Sequence, residues 1–206
     1  MNDNNYKNDL SEIRSIMERS TRYLSFSAMA AILSGIYALF GAAAAWKLIY
    51  FNDEILYEQI QLGNYQGDAK WLLVIAVVVF TLALVTTIIL SHLKAKKAGD
   101  HLMNASARRV MFNFMLPLTA GGIFVLILIF RHHTMLIAPA TLIFYGLALF
   151  IAGNFTFSDI RTLGIAEIIT GLVCACFPGL GLYFWAFGFG ILHIVYGIIM
   201  YYKYEV

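Results

Sequence analysis

Six stretches of this chain are apolar, almost free of charge and mostly around 20 residues long, and no other feature limits its fold as much. They run Tyr23 to Trp46, Trp71 to His92, Val110 to Phe130, Thr134 to Gly153, Thr162 to Phe177 and Leu180 to Tyr201. A helix rising 1.5 Å per residue needs about 20 residues to cross the roughly 30 Å of hydrocarbon in a bilayer. Inside lipid every backbone polar group must find its partner within the protein, which leaves only helices and closed barrels as spanning structures. A barrel strand alternates apolar and polar residues, whereas Leu72 to Leu90 alternates nowhere, so the spans are helices. Composition agrees, with 61% of residues apolar and 13% charged, against roughly 45 to 50% and about 25% in soluble domains. The expected fold is all-α, a polytopic transmembrane helical bundle of six spans.

Charge placement orients it. Positively charged loops remain in the cytoplasm. Lys7, Arg14, Arg19, Arg22, Lys94, Lys96, Lys97, Arg108, Arg109, Arg161 and Lys203 fall on one side, and only Lys47, Lys70 and Arg131 on the other. Eleven against three places both termini in the cytoplasm. The loop after the first span, with Asp53, Glu54, Glu58 and Asp68, then lies outside. A leader of 22 residues of mixed charge and a long apolar stretch are both too long for a cleaved signal peptide. Net charge is only +2, which gives no field for nucleic acid.

Residues 1–22 read as a cytoplasmic amphipathic N-terminal segment and residues 23–206 as the membrane domain. Leu10, Ile13, Met17 and Leu24 recur at helical spacing among charges, the pattern of a helix lying on the inner membrane surface. Residues 9–22, and the basic loop 94–109, are therefore the expected contacts for a cytoplasmic protein or anionic lipid. The simpler reading of that loop is the topology signal itself.

Helices in lipid associate through small residues and polar contacts, because hydrocarbon provides no hydrophobic drive between them. The small-residue stripe Ala31, Ser34, Gly35, Ala38, Gly41, Ala42 and Ala45 puts the first helix at the centre. Asn113, Pro117, Ala120 and Gly121 of the third, and Thr134, Ala138, Thr141, Tyr145, Ala148 and Ala152 of the fourth, are also expected to face inward. Leu72 to Phe80 is bulky all round and belongs at the periphery. Pro117 and Pro139 are expected to bend their spans. Spare small-residue faces leave room for a homo-oligomer. Gly35 to Phe40 and Tyr145 to Phe150 echo each other faintly and hint at a three-plus-three arrangement.

One constellation has chemical potential. Glu167 and His193 lie deep in the fifth and sixth spans, where a charge costs roughly 2.5 to 3.5 kcal/mol. Counted from the turn at Pro178 and Gly179, they stand 12 residues back and 14 forward, a depth difference of about 3 Å. Gly164, Glu167, Thr170, Gly171 and Cys174 share one stripe of helix five, and Ala186, Gly190, His193 and Gly197 one stripe of helix six. A Glu167–His193 contact follows. Desolvation favours neutral forms and pairing favours charged ones, a balance suited to a proton relay, although a polar pair that only locks two helices fits as well.

Adjacent His132 and His133 in an outer loop make poor metal ligands together. Asn154 to Thr156 spells a glycosylation sequon on the wrong side, so Thr156 or Ser158 is expected to cap helix five. Nucleophile elbows, HExxH and glycine-rich phosphate loops do not occur, and no catalytic residue, cofactor or metal is expected. The reading is a non-enzymatic structural, sensory or partner-binding module, with a small proton-coupled transporter or channel as the alternative.

The segments MERSTRYLSFS (Met17 to Ser27), LPLTAGG (Leu116 to Gly122), APATLIFYGLAL (Ala138 to Leu149) and FPGLGLYFWAFGFGILHIVYGIIMYYKYE (Phe177 to Glu205) carry a resemblance. They are similar to an uncharacterised family of hypothetical inner-membrane proteins of Bacteroidota. The resemblance implies a bacterial inner membrane and six spans, and brings no activity or functional residue with it.

Overall fold

The structure is a computed structural model that describes residues 27–50, 69–97, 105–177 and 179–204. The amphipathic segment expected before the first span, the acidic outer loop and Pro178 lie outside those residues. All regular structure among the described residues is helical: α1 is Ala28–Tyr50, α2 Ala69–Lys97, α3 Ala105–Phe130, α4 Ile137–Ala152 and α5 Ser158–Cys176. The last helix, α6, spans Gly181–Tyr204. It is α-helical over Gly181–Trp185, π-helical over Ala186–Leu192 and α-helical again over His193–Tyr204.

Five of these helices are long and apolar enough to cross a membrane. The exception is α5, whose 19 residues include Asp159, Arg161 and Glu167. Phe40, Phe112 and Phe130 are 73, 72 and 81% exposed, an apolar surface that suits hydrocarbon and not water. No part of the most apolar stretch of α2 is buried, so that helix is peripheral and packs on α1. In turn α1 packs on α6, α6 borders both α4 and α5, and α3 covers α4.

Glycine sets how closely these helices approach. A Cβ at Gly35 of α1 would come 2.7 Å from the Gly190 carbonyl oxygen of α6, and one at Gly146 of α4 would come 2.7 Å from that of Gly164 in α5. Backbones thus touch at both crossings, which a side chain larger than hydrogen would prevent. The stripe on α1 behaves as expected, with Gly35, Ala38, Gly41, Ala42 and Ala45 all buried.

Three expectations are corrected. Ala120 is exposed, because α3 turns a seven-residue stripe of Ala107, Phe114, Gly121 and Leu128 inward and Gly121 is fitted against Phe144. Pro139 bends nothing: it lies in the first turn of α4, where the missing N–H has no acceptor to lose, and only Pro117 falls in a helix interior. Neither Thr156 nor Ser158 caps α5, whose N-cap is Phe157 without a side-chain hydrogen bond. The Thr156 hydroxyl instead donates backward to the Ala152 carbonyl, 2.9 Å away, closing the end of α4.

Candidate functional site

Glu167 and His193 meet inside the bundle. His193 Nδ1 stands 3.3 Å from Glu167 Oε1, and the two residues are 5 and 0% exposed. All five residues of the α5 stripe are buried, as are Gly190, His193 and Gly197 on α6, while Ala186 is half-buried. Depth and face therefore come together as helix periodicity requires.

The π stretch decides what the histidine ring can reach. The His193 backbone N–H goes to the Gly190 carbonyl. The Gly188 carbonyl, five residues back, lies 3.1 Å from ring Nδ1. Facing two acceptors, a carbonyl and a carboxylate, Nδ1 carries the hydrogen in either charge state of the ring. Nε2 is 2.8 Å from the Tyr145 hydroxyl of α4, which donates to a neutral ring and accepts from a charged one. The result is a chain of contacts, Tyr145 to His193 to Glu167, across three helices.

Aromatic rings wall it in. Phe189 lies 24° from parallel to the His193 ring at 6.0 Å, Tyr145 at 5.4 Å, and Trp185 backs Phe189 at 5.1 Å. Phe114 of α3 meets Tyr145 edge-on. On the other side Glu167 Oε2 faces Gly188, where an added Cβ would come 2.5 Å from it and from Leu142 Cδ2. Neither carboxyl oxygen makes a hydrogen bond of good geometry, so Oε1 has only the histidine and Oε2 has no polar partner.

Polar clusters elsewhere are of other kinds. Asp159, at the start of α5, receives Lys203 Nζ at 2.9 and 3.0 Å and the Tyr204 hydroxyl at 2.7 Å, both from the end of α6. Partial burial alone would raise the Asp159 carboxyl, but hydrogen bonds from Lys203 and Tyr204 and the Lys203 charge outweigh it and hold the group below its ordinary 3.8. His132 and His133 line an outer cleft of about 300 Å³ with Cys174, and a second cleft of about 320 Å³ lies at Arg108, Arg109, Phe112 and Asn113. Neither is lined by Glu167. No group of three metal-ligating side chains forms among the described residues.

Sequence reasoning missed Tyr145 as a partner of the pair. It placed that residue on an inward face, but which neighbour it meets depends on how α4 is seated against α6, and no short loop fixes that. The glycine and aromatic run Ala186 to Gly190 was the available signal for irregular helix. Compared with known proteins, the chain matches no family model, no curated protein and no solved structure.

Proposed function

We propose that this protein is a six-span, non-enzymatic module of a bacterial inner membrane, with both ends in the cytoplasm, that works by holding a rigid helical frame for a partner. The observation that carries this is the enclosure of Glu167 and His193, 0 and 5% exposed, with neither main cleft reaching them. A buried ion costs on the order of several kcal/mol. The pair avoids an uncompensated charge only when it holds one proton in total, either as carboxylate with imidazolium or as two neutral groups. That constancy suits a helix lock. Residues 9–22 and 94–109 are the proposed contacts to a cytoplasmic protein or anionic lipid, and Phe112 beside Arg108 and Arg109 offers an apolar anchor next to two cations. The charge bias of the loops and the Bacteroidota resemblance support the compartment and orientation.

Reconstitution into liposomes containing a pH-sensitive dye tests the reading. Under an imposed pH gradient, vesicles with the wild-type chain are expected to leak protons no faster than vesicles with E167Q. A flux that E167Q abolishes overturns the module. The proton-coupled transporter would then replace it, a reading favoured by the unpartnered Glu167 Oε2.

A further inference from the structure

Residues 164–171 read GIAEIITG and residues 190–197 read GILHIVYG. Glycine opens and closes each segment, isoleucine holds the second and fifth places, and the two ionisable residues hold the fourth. Burial follows the same pattern: Gly164, Glu167, Gly171 and Cys174 are buried in α5, as are Gly190, His193, Gly197 and Met200 in α6.

Each segment grips its neighbour in the same way. A Cβ at Gly35 would meet Gly190 O, Ile194 Cγ1 and Ile194 N at 2.7, 2.7 and 3.1 Å, and one at Gly146 would meet Gly164 O, Ile168 Cγ1 and Ile168 N at 2.7, 2.8 and 2.8 Å. One turn away, Gly197 faces Ile32 and Gly171 faces Ile143, each three residues before the neighbour's glycine. So α1 stands to α6 as α4 stands to α5, both pairs antiparallel. Since α5 and α6 are themselves antiparallel and touch at equivalent residues, the axis relating them lies in the membrane plane. This is not a relation of the first three helices to the last three.

That correspondence is broken at the centre. Tyr145, the residue before Gly146, bonds to His193. Its counterpart on α1, before Gly35, is Ser34. The corresponding partner of Ser34 is Glu167, whose Oε2 is the fully buried oxygen without a polar contact.

We infer that α5 and α6 are inverted copies of one helix unit, and that the bundle has a second arrangement in which Ser34 of α1 donates to Glu167 as Tyr145 of α4 now bonds His193. No proton changes hands, because the serine hydroxyl only donates a hydrogen bond to the carboxylate. The module reading needs no second arrangement, so the two stand or fall separately.

The test uses the full chain in nanodiscs. Two carboxylate bands are expected for Glu167 in the infrared spectrum, assigned by their loss in E167Q, with one of them missing in S34A. A single band untouched by S34A overturns the second arrangement. For the duplication, the exchanged variant E167H/H193E is expected to melt close to wild type and well above either single variant, and melting with the singles overturns it. Should the exchanged chain not fold, G35A and G146A carry the same test through their matched surroundings: equal losses of Tm are expected, and clearly unequal ones overturn the duplication.

Discussion

At the scale of single residues, His132 shows how a local rule can be broken at a helix end. Its φ of 59° lies in the left-handed region, where a side chain costs roughly 1 to 2 kcal/mol. The strain belongs to a recognisable closure of α3: His133 N–H bonds Leu128 O at 2.9 Å and His132 N–H bonds Ile129 O at 3.1 Å, the bonds that usually require glycine in the bend. H132G is therefore expected to raise stability by about 0.5 to 1 kcal/mol, after allowing for the greater freedom glycine gives the unfolded chain. Chemical unfolding in detergent measures it, and a lower midpoint would contradict the strain. Glu167 and His193 were legible because a short turn after α5 fixes their relative depth. Tyr145 was not, for the reason its partner was missed: its bond crosses between helices that no short loop connects.

Among elements, the clasp between the start of α5 and the end of α6 has a definite pH signature. Asp159 has a depressed pKa in the folded protein, so its contribution is present above the ordinary carboxylate range and is lost as pH falls through its lowered value. D159N is expected to lower Tm at neutral pH, with the gap to wild type closing as acid protonates Asp159. A gap that persists in acid would assign the loss to something other than the carboxylate. The pair is partly exposed, so raised salt should narrow the gap as well. Helix identities followed from apolar length, yet the seven-residue stripe of α3 did not, because Ala120 and Gly121 look equally small until Phe144 selects one of them. The π stretch was equally hidden, since its sequence is apolar throughout.

For the molecule as a whole, the inside is made of small contacts and the outside of large side chains, the reverse of a soluble domain. Volume should thus matter in few places. Leu142 is fully buried and faces both Gly171 and Gly188, so L142A is expected to cost about 2 kcal/mol or more. Val78 of α2 is 50% exposed, and V78A should remain within about 0.5 kcal/mol of wild type. Equal losses for both would mean that α2 is covered by protein and not by lipid. The overall plan was readable from hydrophobic length and charge bias; the order in which helices neighbour one another was not, since small residues announce a contact without naming its partner.

The wide turn at Ala186 to Leu192 has one more implication, a matter of phase. Each residue of an α-helix advances the next by about 100°. Removing a single residue there, Phe187 for instance, would let α6 wind regularly and swing everything after it part-way around its axis. His193 would then point away from Glu167, and Gly197 away from Ile32, although every side chain in the last three turns had been kept. The irregularity is a rotational offset built into the chain, and the placement of its terminal segment depends on it.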